Sequence, residues 1–369
     1  MLAGTLRRGL AAAALSFLGL VATGCGYGSA AEPTEHDRSQ VTGGGKKIDG
    51  LDTVRIGYFP NLTHATALIG RRQGLLQREL GGTESEYSVF NAGPSEIEAI
   101  NSGSLDIGFI GPSPSINAYM KSSGRNLRII SGAASGGVKF VVNPDRIKSL
   151  DDVRGKRIST PQKGNTQDVA FLNWISERGW KVDPESGKGD VSVFRTDNKV
   201  APAAYKSGSI DGAWVPEPTA SQLVAEGAKV LIDEAALWPD ERFVVTNLIV
   251  SQTFLKEHPD VVEAVLRGTV RTTAWIKANP DTAKAAANTQ LKADTGKELP
   301  ADILAPAWKS IRFTYDPLAA TLTTEAEQAV RVGLLDEPDL QGVFDLRLLN
   351  KVLKNEGRPP VQDAGLGIK

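Results

Sequence analysis

The stretch VRIGYFPNLTHATALIGRRQGLLQ, residues 54–77, decides the fold. Val54-Arg55-Ile56-Gly57-Tyr58 is a short run rich in β-branched and aromatic side chains and reads as a strand. A loop, Phe59-Pro60-Asn61-Leu62-Thr63-His64, follows it, and His64 to Leu80 then reads as a helix. Downstream the same alternation repeats: strand Tyr87–Phe90, helix Pro94–Ser102, strand Asp106–Ile110, helix Pro114–Lys121 and strand Leu127–Ile130. Strands alternating with helices imply parallel βαβ units and a sheet covered on both faces.

A second set follows, with strands near 138–142, 157–159, 191–194, 212–214 and 229–231 and helices near 148–153, 165–178, 198–207 and 218–226. Phe243–Val250 (FVVTNLIV) is a long apolar strand, after which the chain is nearly all helical. Pro259 and Pro280 sit at helix starts, where proline's missing N–H costs no bond. Val262, Leu266, Thr269, Thr273 and Ile276 form one stripe of an amphipathic helix. The expected architecture is α/β with two lobes. Lobe 1 takes residues 51–137 and 246–369, and lobe 2, residues 138–245, is inserted between them. The chain crosses between lobes near Gly136–Val142 and Phe243–Val250. Two extended crossings make a hinge that closes over a ligand.

The first 24 residues read as a signal peptide: Arg7 and Arg8, then an apolar core from Leu10 to Val21 that is too short to span a bilayer. It ends in Ala22-Thr23-Gly24-Cys25, which resembles a bacterial lipobox and makes Cys25 the expected lipidation site. Residues 25–50 are Gly-rich, polar and aperiodic, and read as a flexible tether spanning about 25–30 Å. The body is therefore expected outside the cytoplasm, held to the outer face of the membrane by lipid alone.

Composition narrows the function. Lys and Arg number 42 against 43 Asp and Glu, which is unlike the basic excess of a nucleic-acid binder. One Cys excludes an internal disulfide framework and a Cys-rich metal site. Three His, at 36, 64 and 258, are too scattered for a His-based zinc site. No metal or cofactor is expected. No G-x-S-x-G elbow, G-x-x-x-x-G-K-[ST] loop or G-x-G-x-x-G loop is present. An enzyme on this fold is the weaker alternative, and a sensor or adhesion module is a third.

Ligands of open α/β sheets sit at the carboxyl ends of the strands. Five loops occupy such positions: residues 59–64, 111–115, 131–137, 161–166 and 214–218. Ser113 and Asn165 stand where they can cap helices, and free helix N-termini favour anions, with Lys163 adding charge beside one of them.

Four segments carry a family resemblance: residues 54–77, IEAINSGSLDIGFIGPSPSINAY (97–119), SLDDVRGKRISTPQKGNTQDVAFLNW (149–174) and GSIDGAWVPEPTASQLVAEGAKVLID (208–233). In order and spacing they resemble the substrate-binding proteins of the nitrate/sulfonate/taurine ABC importers, a family extending to binders of a thiamine-precursor pyrimidine. The resemblance covers roughly residues 53–280. It implies a periplasmic-binding-protein type II fold with two hinge strands and a ligand cleft between lobes. It also implies a monomer that captures a small organic anion or zwitterion for a permease and its ATPase, without chemistry on the ligand. Aliphatic sulfonates and taurine-like solutes come first among the candidates; a nitrogen heterocycle, nitrate and bicarbonate are the alternatives.

By position, the resemblance places Phe59, Asn61, His64, Gly111, Ser113, Ser115, Gln162, Lys163, Asn165, Thr166, Trp214 and Glu217 at the cleft. Ser113, Ser115 and Thr166 would supply hydroxyls, Phe59 and Trp214 an apolar or stacking wall, and His64 a donor. Glu217 would pair with Lys163, meet a cationic part of the ligand, or favour a helix start.

Overall fold

A computed structural model describes residues 45–368, all within the compact unit Glu32–Lys369. The expected signal peptide, the Cys25 lipidation site and most of the tether lie outside the described residues.

The chain enters through β1 (Thr53–Tyr58), a 3-10 turn at Leu62–His64, α1 (Ala65–Arg72) and α2 (Leu75–Leu80). The single helix expected from His64 to Leu80 is thus two, broken at Gly74, whose φ is 62°. Next come β2 (Glu84–Val89), α3 (Gly93–Asn101), β3 (Ile107–Ile110), α4 (Pro112–Lys121) and β4 (Leu127–Gly136). The second run is β5 (Val138–Val142), β6 (Arg157–Thr160), α5 (Thr166–Glu177), β7 (Ser192–Arg195), α6 (Ala201–Lys206), β8 (Gly212–Pro216), α7 (Thr219–Ala225) and β9 (Lys229–Asp233). The chain ends through β10 (Val244–Ser251), α8 (Gln252–Glu257), α9 (Pro259–Ala278), α10 (Pro280–Thr295), α11 (Ala301–Lys309), β11 (Ile311–Phe313), α12 (Ala319–Arg331) and α13 (Arg347–Asn355).

These strands build two sheets, ordered β11-β4-β10-β3-β1-β2 and β7-β6-β8-β5-β9. In the first, β1 runs parallel to β2 and β3, while β10 pairs antiparallel with β3 and β4. In the second, β6 runs parallel to β7 and β8, while β5 pairs antiparallel with β8 and β9. Each sheet is the floor of one lobe. The crossing from β4 to β5 is as short as a chain allows: Gly136 and Gly137 take φ of 76° and 73°, a left-handed pair that side chains disfavour. The return crossing runs through 3-10 turns at Glu234–Leu237 and Pro239–Glu241. It therefore precedes β10 rather than running along it.

Two further expectations are corrected. The helix near 148–153 shrinks to a 3-10 turn at Asp151–Val153, because the Asp152 carboxylate accepts the N–H groups of Lys148 and Ser149, each at 2.9 Å, and holds a local turn instead. The C-terminal part is not purely helical, since β11 adds an edge strand beside β4. The α9 stripe does face the core: Val262, Leu266, Thr269 and Thr273 are fully buried and Ile276 nearly so. Full burial of a side chain such as Leu266 contributes about 1.5–3 kcal/mol. No helix among the described residues is long and apolar enough to cross a membrane.

The core of lobe 2 is aromatic. Phe140 lies 5.3 Å from both Phe171 and Trp214 and 5.6 Å from Trp174, ring centre to ring centre. Trp214 is fully buried there and its indole N–H donates to Glu234 Oε2 at 2.5 Å. Glu234 is itself buried, and loss of solvation pushes its carboxyl up to about 7. Glu325, arriving on α12, is buried beside it; its carboxyl is pushed up by the same burial and by Glu234, and neither of its oxygens has a hydrogen-bond partner.

A carboxyl raised in the folded chain binds its proton more tightly there than when unfolded. Stability from Glu234 is therefore greatest below about pH 4.5 and falls as pH rises toward about 7. The loss is roughly 3 kcal/mol. Glu234→Gln keeps an oxygen for Trp214 but cannot ionise. Its melting temperature relative to the wild type should climb steadily from pH 5 to pH 8; a difference independent of pH would contradict this reading.

Candidate functional site

The carboxyl ends of the parallel strands in both sheets face one polar cavity. From lobe 1 it is lined by Phe59, Asn61, Thr63 and His64 after β1, Asn91 after β2, Gly111 after β3, and Val245 on β10. From lobe 2 come Asn165, Thr166 and Gln167 at the head of α5, Asn198 after β7, and Pro216 at the end of β8. The space left between these side chains is narrow, about 10 Å³, which is room for a single water.

The lobes meet across it. Gly111 faces Thr166 so closely that a Cβ at residue 111 would stand 2.4 Å from Thr166 Oγ1. Beside it a Cβ on Gly93 would stand 3.4 Å from Asn165 Oδ1. At the back, the Leu62 N–H donates to the Glu217 carbonyl at 3.1 Å. Hydrogen bonds on the rear side orient the lobe 1 groups. His64 Nδ1 accepts the Phe59 N–H at 3.2 Å, so its proton sits on Nε2. The ring stacks on Phe59 at 4.4 Å, and burial holds its pKa down at about 3, so the imidazole is a neutral donor. Asn61 Oδ1 accepts the Thr63 hydroxyl at 2.7 Å, which leaves the Asn61 amide N–H groups to donate elsewhere.

Of the twelve expected cleft residues, the structure brings six to this cavity: Phe59, Asn61, His64, Gly111, Asn165 and Thr166. The other six stand elsewhere. Trp214 does not form a wall; its indole packs into the lobe 2 core against Phe140, Phe171 and Trp174, while Pro216, at the end of the same strand, lines the cavity. Glu217 is fully buried, but Lys139 Nζ donates to it at 2.8 Å and the Ser221 N–H at 3.0 Å, so it serves an ion pair and the start of α7. Lys163 is not its partner, because Lys163 pairs with Glu185 at 2.7 Å on the surface. The Ser115 hydroxyl donates to the Gly111 carbonyl at 2.9 Å within its own helix. Ser113 lines a separate apolar pocket with Ile116, Val169 and Leu334. Gln162 is not among the lining residues, although its Oε1 is buried without a partner.

The expected caps also differ. Helix α4 begins at Pro112, which puts Ser113 inside the first turn, and Asn165 occupies the cap position of α5 without making the cap hydrogen bond. Its Oδ1 is left without a partner in the protein. Asn91 and Asn198 were legible by the strand-end rule, because each follows a parallel strand, but they sit in loops with no motif to mark them.

Residues 49–291 match the NMT1-like family, and the chain belongs to that family. A binding protein of Brucella abortus (strain 2308) is 27% identical over 299 residues, covering 77% of this chain and 87% of the relative. The taurine-binding periplasmic protein of Escherichia coli (strain K12) is 26% identical over 215 residues, covering 58% of this chain and 64% of that protein. Among solved structures, the alkanesulfonate-binding protein SsuA from Xanthomonas axonopodis pv. citri, bound to MOPS, superposes with a TM-score of 0.63 at 20% identity, covering 78% of this chain and 95% of that one. The likeness in structure confirms the expected two-lobed type II periplasmic-binding-protein fold.

The Gly111–Thr166 approach leaves no room for a methyl group unless the Thr166 side chain or one lobe shifts. Gly111→Ala should weaken binding of any solute held between the lobes by tenfold or more, with the melting temperature of the solute-free protein little changed. Unaltered affinity by calorimetry would show that the two loops do not have to meet for binding.

Proposed function

We propose that this chain is the extracytoplasmic solute-binding protein of an ABC importer and that its solute is a small organic anion or zwitterion of the aliphatic-sulfonate or taurine type. The observation that carries the proposal is the cavity itself: neutral donors and acceptors from strand-end loops of two lobes, joined by a double crossing, converge on one narrow space between the sheets. Solute bridging the lobes favours the closed arrangement, which a permease then recognises. The names of the Brucella and Escherichia coli relatives support capture rather than chemistry.

The neutral lining is compatible with an anion. His64 and Asn61 line the cavity with N–H groups that their own bonds leave available, and the first turn of α5 adds the positive end of a helix of 12 residues. Thermal denaturation of the purified protein against taurine, nitrate, bicarbonate and cytosine tests the reading. Taurine at about 100 times its dissociation constant should stabilise the protein by about 2.7 kcal/mol. A rise with nitrate, bicarbonate or cytosine and none with taurine would overturn the sulfonate assignment.

A further inference from the structure

The two walls of the cavity have different hydrogen-bonding characters. On lobe 1, His64 Nδ1 and Asn61 Oδ1 are taken up by bonds within the lobe, which leaves His64 Nε2–H and the Asn61 amide N–H groups as what these two lining residues offer a ligand. On lobe 2 the buried atoms without a protein partner are oxygens: Asn165 Oδ1, Thr166 Oγ1 and Asn198 Oδ1. Asn165 is the best defined of them. Its amide N–H donates to Gln167 Oε1 at 3.1 Å, which turns the carbonyl oxygen away from Gln167, and the residue is only 6% exposed. Thr166 can also donate through its hydroxyl, so the two asparagine oxygens set the requirement.

No Lys, Arg, Asp or Glu lines the cavity among the described residues. Several charges close in sequence are engaged with one another, Lys139 with Glu217 at 2.8 Å, Lys163 with Glu185 at 2.7 Å, and Arg195 with Asp168 at 3.0 Å, while Asp197 and Lys199 flank Asn198 without lining the cavity. A bare anion closed into this space meets no countercharge, and it has no hydrogen to offer Asn165 or Asn198. Leaving a buried acceptor unmade costs enough to discriminate between ligands by one or two orders of magnitude in affinity. The N–H groups in the first turn of α5 can take an oxygen of the same ligand, but they do nothing for the two acceptors.

We propose that Asn165 and Asn198 are specificity-determining residues that select a solute with N–H donors at one end and oxygens at the other. Its oxygens face His64 and Asn61, and its donors face Asn165 and Asn198. This rests on the solute-capture reading above and narrows it: amino-bearing sulfonates are taken and alkanesulfonates without donors are discriminated against.

Calorimetry with taurine and ethanesulfonate isolates the amino group, and cytosine provides an uncharged molecule with both donors and acceptors. Taurine should bind the wild type at least tenfold more tightly than ethanesulfonate. Asn165→Asp keeps an oxygen at this place and adds a charge. It should tighten taurine by threefold or more and weaken ethanesulfonate. Equal affinities for the two sulfonates in the wild type would overturn the selection by Asn165 and Asn198 while leaving solute capture standing. Cytosine binding with neither sulfonate bound would support the donor requirement and overturn the sulfonate assignment. Failure of all three to bind would overturn both.

Discussion

The rest of the structure depends on how little chain joins the two lobes. One link is Gly136-Gly137, where β4 of the first sheet becomes β5 of the second with both residues left-handed. The other is the pair of 3-10 turns between β9 and β10. Each lobe keeps its own sheet, while one buried hydrophobic cluster runs through both and Arg331 of α12 bonds Asn173 and Glu177 of α5, so movement about the two links also has to open these contacts. The price is exacting backbone geometry at the crossing. A side chain at 137 would also run into Ile311 of β11, which packs against the turn.

The cavity follows from the same topology. In each sheet the parallel strands point their carboxyl ends toward the other lobe, so the loops after β1, β2 and β3 face those after β6, β7 and β8. Burial then determines the chemistry available. His64 is kept neutral by loss of solvation, Asn61 is oriented by Thr63, and no Lys, Arg, Asp or Glu lines the cavity among the described residues. Recognition in such a space rests on hydrogen-bond matching rather than on net charge.

The architecture was legible in the sequence because it is written in periodicity. Strand and helix patterns alternate from Val54 to Val250, and the α9 stripe fixes which face of the longest helix is buried. Strand-end loops were legible too, and the structure gathers Asn61, His64, Gly111, Asn165 and Thr166 from them around one cavity. Side-chain direction was not. Trp214 and Pro216 share one face of a strand, and only the presence of Phe140, Phe171 and Trp174 around the indole decides that the tryptophan goes to the core. Partner choice was not legible either: Lys139 is 78 residues from Glu217 and is brought to it by β5 pairing with β8. Asn91 and Asn198 sit in loops whose composition is ordinary, and only their contact with the cavity distinguishes them.

The central claim is that a small solute is held by closing one lobe on the other. Small-angle X-ray scattering of the purified protein, without solute and with saturating taurine, measures that directly. The account predicts a smaller radius of gyration with taurine. An unchanged radius under conditions where calorimetry shows taurine bound would contradict it.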